Sequence, residues 1–241
     1  MDICMAVYYG RINDDVFETF LKTFRKVSGA LLQVYTDNIP EDMSGYGVKW
    51  HLLKREQIKG RRCLCKMECV RHCLNNLKDG DRLIVSDVDV YFLDDPFSAF
   101  EKCDFNVGVT KRLHSYKFPV NGGLFFVNTN KKSRAIFGEK FDIYIEDNPE
   151  SADWFIDQNY LCWLSKKGDA VDVGWEYNFC PNTDVFGVKL AVSMIRRAYE
   201  SKAVKVLHLK SELKMCIYDG YMENAVTKRL TGGWNWKNDG K

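Results

Sequence analysis

The chain carries almost no surplus of either charge. Its 35 Lys and Arg residues offset 33 Asp and Glu, leaving a net charge of +2 over 241 residues. That balance gives no global electrostatic reason to bind nucleic acid or a membrane surface. No apolar run approaches the ~18 residues of a membrane-spanning helix. The opening residues, Met1-Asp2-Ile3-Cys4, lack the basic region and long apolar stretch of a secretory leader. A soluble, cytoplasmic protein is therefore expected. Internal repeats, low-complexity tracts and linker-like composition are also missing, which leaves a single domain over residues 1–241 as the simplest organisation. What is present is ordinary for a globular fold, at 46% hydrophobic and 28% charged.

Cysteine is abundant, at nine residues. Cys65, Cys69 and Cys73 follow helical spacing beside Cys63, a pattern unlike the C-x₂-C pairs of structural zinc sites. Small, reduced, buried side chains are the expectation, with a metal cluster as the alternative.

Apolar periodicity outlines the elements. Strands are predicted over Ile3–Tyr9, Leu31–Thr36 and Val48–Leu53, and up to Ser86. Further strands are predicted at 105–110, 124–127, 170–173 and 204–209. Helices are predicted from a cap at Asn13 through Phe24, over Arg62–Leu77, after Asp95-Pro96, and over 131–146, 153–165 and 185–200. Strands alternate with helices in the first half, which implies a mostly parallel sheet. The second half is less regular, so the fold class is one α/β domain with mixed strand order.

The run Leu83-Ile84-Val85-Ser86 ends in Asp87-Val88-Asp89. Residues i and i+2 of a strand share a face, so both carboxylates are expected at one point past a buried strand. Open α/β sheets bind ligands at such ends. Two hard oxygen donors suit Mn²⁺ or Mg²⁺ completed by substrate phosphates; the alternative is a surface turn. His208, at the end of a later apolar strand, is the attractive third ligand, and Lys214 follows it as a cation for a leaving diphosphate. Asn121-Gly122-Gly123 precedes another strand, with glycines for close approach and an amide for a polyhydroxyl ligand, or else forms a simple turn. Asp157-Gln158 lies within an aromatic helical stretch, aimed either at a pocket or at solvent. Arg62 and Lys66 open the helix before the Asp-x-Asp strand, within reach of phosphate or merely solvated.

In order, these motifs are Asp-x-Asp after an apolar strand, Asn-Gly-Gly before Leu124-Phe125-Phe126-Val127-Asn128, Asp-Gln, and His208-x₅-Lys214. The chain thereby resembles the GT-A glycosyltransferases over roughly residues 2–215, most closely their retaining, glycogenin/galactosyltransferase-like family. That family carries D-x-D, F-N-[AS]-G, D-Q and H-x-x-G-x-x-K motifs. Ser211 stands in place of the last motif's glycine, and Met215 in place of its Pro-Trp.

The resemblance implies a Rossmann-like mixed sheet flanked by helices. Residues 1–110 would form a nucleotide-binding half, and 111–241 a sugar and acceptor half with a C-terminal tail. It implies that Asp87, Asp89 and His208 hold Mn²⁺ or Mg²⁺ and that Lys214 meets the diphosphate. Tyr8 or Tyr9 and Asp37 would border the nucleoside, and Lys66 would touch the donor. Asn121, Gly122 and Gly123 would face the donor sugar, with Asp157 and Gln158 near the transferred carbon. The implied reaction moves a sugar from a nucleotide-diphosphate donor, UDP favoured, to a hydroxyl of a glycan, lipid or other acceptor, with retention. Asp157 would be nucleophile or positioner.

Three other readings compete. A haloacid-dehalogenase-type phosphatase also ends a strand in D-x-D but wants Thr or Val where Tyr91 stands. A sugar-phosphate nucleotidyltransferase carries a Gly-rich first loop that Tyr8-Tyr9-Gly10-Arg11 does not supply. A catalytically inactive sugar-nucleotide-binding module would not need its carboxylates and His208 intact. The basic, aromatic stretch Lys111–Phe118 and the pair Trp234 and Trp236 are candidate acceptor contacts, or a solvated lid and a packed tail.

Overall fold

A computed structural model describes residues 1–9, 14–58, 61–112, 119–149, 155–210 and 213. The cap at Asn13, most of the Lys111–Phe118 stretch, Lys214 and the Trp234/Trp236 tail lie outside the described residues.

The first half follows the expected alternation. Strand β1 (Asp2–Tyr8) leads through α1 (Asp14–Val27) to β2 (Leu31–Thr36) and β3 (Val48–Leu52). Two helices, the short α2 (Arg55–Ile58) and then α3 (Arg62–Asn75), return the chain to β4 (Arg82–Ser86). The strands lie in the order β3-β2-β1-β4, all parallel. Ile3 to Ala6 and Leu83 to Val85 are fully buried, as a parallel strand covered on both faces requires. Helix α1 covers one face with Phe17, Phe20 and Phe24, and α3 covers the other with Leu64, Val70 and Leu74. Cys65, Cys69 and Cys73 belong to that second core.

Beyond β4 the topology changes. Strand β5 (Val90–Phe92) is followed by α4 (Ala99–Lys102), β6 (Val107–Val109) and β7 (Leu124–Asn128). Strand β7 runs antiparallel between β4 and β6. Then come α5 (Lys131–Phe137), α6 (Glu139–Asp147), α7 (Ile156–Lys167), β8 (Val171–Asp172), α8 (Thr183–Ser201) and β9 (Val206–His208). Strand β8 joins β6 in parallel to complete a seven-stranded sheet, while β5 and β9 pair separately as an antiparallel ribbon.

Two expectations need correction. The helix predicted over 131–146 is two helices, because Gly138 leaves helical geometry at φ −101°, ψ −111°. A β-carbon there would come within 2.9 Å of the Arg134 carbonyl. Asp157-Gln158 does not sit mid-helix. Helix α7 starts at Ile156, so both residues lie in its first turn, where a carboxylate is favoured by the helix dipole.

Topology places the site. The parallel strands end at Tyr8, Thr36 and Ser86 along one edge of the sheet. Because β7 is antiparallel, its start lies beside those ends, with Leu124 opposite Ser86. Asn-Gly-Gly therefore meets Asp-x-Asp.

Candidate active site

The chain leaves β4 at Ser86 and bends through Asp87, Val88 and Asp89 before β5. The two carboxylates thus stand in a bend, not on one face of a strand as expected. Their convergence comes from anchors at either end. The Asp87 amide donates to the Gly123 carbonyl at 2.7 Å, and the Leu209 amide donates to the Asp89 carbonyl at 3.0 Å. Pairing of β5 with β9 sets Val90 opposite His208. Ligand atoms of Asp87, Asp89 and His208 then lie within 4.8 Å of one another.

His208 is fully buried. Its Nδ1 lies 3.1 Å from Asn178 Oδ1. Asn178 Nδ2 donates to the carbonyls of Asn121 and Leu124, at 3.3 Å each, so its oxygen is the atom left to face the ring. A proton on Nδ1 donated to Asn178 Oδ1 leaves the Nε2 lone pair for a metal, while the Asn121 side-chain amide, 3.3 Å from the same Nδ1, favours the opposite tautomer. Nε2 lies 3.2 Å from Asp89 Oδ1 but has no hydrogen-bond partner. Burial, helped by Lys210, pulls the imidazole pKa below its ordinary value, which favours the neutral form a metal needs. An orphaned buried nitrogen beside two carboxylates fits a divalent cation. Gly123 makes room for the ring, since a β-carbon there would fall 1.9 Å from His208 Cε1.

Lys66, only 5% exposed, links this triad to the Asp-Gln pair. Its ammonium donates to Asp87 Oδ1 at 2.7 Å, to the Gly122 carbonyl at 2.9 Å and to Asp157 Oδ2 at 3.1 Å. Burial opposes its charge, but Asp87 and Asp157 outweigh that and raise the pKa above the ordinary lysine value. The other carboxylate oxygen of Asp157 accepts from the Gln158 amide at 2.8 Å. Gly122 packs on the same pair; a β-carbon there would sit 3.3 Å from Gln158 Cα and 3.4 Å from Asp157 Oδ2.

Asn121 joins the two groups. Its Nδ2 lies 3.3 Å from His208 Nδ1, and its Oδ1 accepts from the Gly123 amide at 3.3 Å. Arg112 donates through Nη2 to Gln158 Oε1 at 2.8 Å and reaches Asn121 Oδ1 at 3.5 Å.

Asp87, Asp89, His208, Lys66, Asn121, Gly122, Gly123, Asp157 and Gln158 thus form one connected cluster. Tyr9 and Asp37 lie half-buried, just past the ends of β1 and β2. The Tyr9 hydroxyl donates to the Arg62 carbonyl at 2.7 Å. Tyr8 ends β1, is 1% exposed and stacks its ring on Phe17 at 4.3 Å. Two participants were not anticipated. Asn178 stands in an aromatic stretch whose local pattern carries no signal. Arg112 belongs, by its sequence, to a basic stretch with no further signal.

Comparison with known proteins identifies the family and the fold. The model of the nucleotide-diphospho-sugar transferase family matches residues 55–208. The fold is shared with the glycosyltransferase GlyE of Streptococcus pneumoniae TIGR4, at a TM-score of 0.65 and 13% identity, covering 96% of this chain. The chain spans only 63% of that protein's length. The galactosyltransferase LgtC, solved with donor and acceptor sugar analogues, superposes with a TM-score of 0.57 and 15% identity, covering 98% of this chain and 96% of LgtC. A glycosyltransferase involved in glycosylation of the major capsid of PBCV-1 gives 0.54 and 11%, covering 91% of this chain and 97% of its own. No curated protein sequence matches significantly. The fold is that of the GT-A glycosyltransferases.

Proposed function

Since the chain belongs to the nucleotide-diphospho-sugar transferase family, we propose that it moves a hexose-type sugar from a UDP-sugar to an acceptor hydroxyl, with Mn²⁺ and with retention of configuration. The acceptor is a hydroxyl of a glycan, a lipid or another molecule, and the working compartment is the cytoplasm. No helix among the described residues is long and apolar enough to cross a membrane.

The observation that carries this reading is the Asp87–Asp89–His208 triad with its orphaned Nε2. These three residues would hold the cation, which when bound offsets charge on the departing diphosphate. The protein's own groups do the rest. Lys66 keeps Asp87 and Asp157 in fixed relation, coupling the diphosphate end of the donor to its sugar. Asp157 is held by Lys66 and by the α7 backbone, which suits orienting a sugar and stabilising positive charge at its anomeric carbon better than attacking it. Retention then follows from approach of the acceptor on the leaving-group side. Gln158 and Asn121 supply amide groups for sugar hydroxyls. Lys214 is proposed for the diphosphate, Tyr9 and Asp37 for the nucleoside.

The test is release of nucleoside diphosphate from a panel of UDP- and GDP-sugars, with and without Mn²⁺. Metal-dependent release from a UDP-sugar is expected. Absence of such release from every donor, with no metal-dependent rise in melting temperature on adding UDP, overturns the proposal.

A further inference from the structure

The cations of the site are not all matched by anions. Lys66 is paired with two carboxylates. Arg112 and Lys210 form no ion pair among the described residues. Lys210 stands two residues past His208, on the metal side, where its charge bears on His208. Arg112 stands on the opposite side of Asn121, against Gln158. Its Nε is buried without a hydrogen-bond partner, although the side chain as a whole is only half-buried. A guanidinium beside two neutral amides, with a donor unspent, is costly unless a ligand supplies the missing acceptor.

The geometry points to a donor sugar that carries a carboxylate. We infer that Arg112 reads that group, so that the preferred donor is a nucleotide-linked uronic acid and not its neutral hexose counterpart. This rests on the sugar-nucleotide reading above and sharpens it. Planar, bidentate recognition of a carboxylate is the task for which guanidinium outperforms ammonium. An anion on the sugar fits this position better than the diphosphate, because Arg112 contacts the two amides proposed for the sugar and is separated from the metal triad by Asn121. The stretch after Arg112, Leu113 to Phe118, contains no acidic residue to serve instead.

The experiment compares UDP-glucuronate and UDP-galacturonate with UDP-glucose and UDP-galactose, each with Mn²⁺, by donor binding and by hydrolysis. It is run on the wild-type chain and on Arg112→Lys and Arg112→Gln. The wild type is expected to favour a uronate donor by about tenfold or more. Arg112→Gln should abolish that ratio, and Arg112→Lys should retain a reduced part of it. Melting temperatures with UDP and Mn²⁺ report whether the variants still fold and still bind nucleotide. Three results overturn the inference: a wild-type preference for neutral hexoses, an unchanged ratio in folded Arg112→Gln, or equal loss with both donor classes, which would make Arg112 a prop for Gln158. Failure of the wild type to bind UDP with Mn²⁺ marks the separate failure of the underlying reading, and the inference falls with it.

Discussion

The parallel strands β1–β4 and the later strands β5, β7 and β9 are held in place by different chemistry. In β1, β2 and β4, side chains of both faces vanish into apolar cores, with Phe17, Phe20 and Phe24 on one side and the α3 face on the other, while the edge strand β3 stays partly exposed. The second group also buries apolar side chains, among them Val90, Phe125, Phe126 and Val206, but around the entry to β7 and the end of β9 it adds a buried polar set: Asn121, Asp157, Gln158, Asn178, His208 and Lys66. Apolar packing is non-directional and accepts volume-conserving change. A buried polar network depends on each partner, because an orphaned donor or acceptor costs its full desolvation. The first region is a platform and the second an instrument mounted on it.

Four substitutions would break or sharpen that contrast. Asp89→Ala should lower turnover by about a thousandfold or more, the equivalent of several kcal/mol, with an unchanged circular dichroism spectrum. Loss of the fold would instead make Asp89 part of the platform. Phe17→Ala removes a ring that stacks on Tyr8 and should cost about 3–5 kcal/mol of stability, read by denaturant titration. Mn²⁺ affinity of the remaining folded protein should be unchanged, and a weakened metal site would show that the regions are not separable. Asn178→Ala removes the Oδ1 that faces His208 Nδ1 and should weaken Mn²⁺ binding about 10–100-fold, measured by calorimetry, and by orphaning two buried carbonyls should cost about 1–3 kcal/mol of stability. Unaltered binding would mean that the ring is held by packing alone. Asn130→Ala removes the side-chain cap of α5 and should cost about 1 kcal/mol with no effect on metal.

The same contrast explains what could be read from residues alone. Strand β2 was legible to its ends because an apolar run bounded by turn residues is a local signal. The Asp87/Asp89/His208 grouping was legible because Asp87 follows one apolar strand, Asp89 lies two residues on, and His208 closes another. The direction of β7 was not, since Leu124–Val127 reads the same in either direction, and only pairing with β4 sets it. Nor was the break at Gly138, where a lone glycine in a helical pattern is commonly tolerated. The first-turn position of Asp157 was hidden by a stretch whose aromatic residues blur the helix start. Asn178 gave no signal at all, because its task is defined by a ring that is distant in sequence and by two carbonyls of another strand's entry. The Lys66 bridge was half visible. Its placement before the Asp-x-Asp strand suggested a phosphate contact, but its two carboxylate partners are set by tertiary structure.

The β5–β9 ribbon also has a consequence in time. His208 belongs to the last strand described, so during synthesis the Asp-x-Asp bend leaves the ribosome well before its third ligand exists. At about 5–20 residues per second, the delay is on the order of ten seconds. Until β9 docks, Asp87 and Asp89 are two exposed carboxylates with weak claim on any ion, while β1–β4 already have what they need to pack. Register on docking is all-or-none, because a slip of one residue in a strand turns its side chains to the opposite face. Tight metal capture would therefore mark the moment at which β9 has paired with β5, and a bound ion would act as a latch on that pairing.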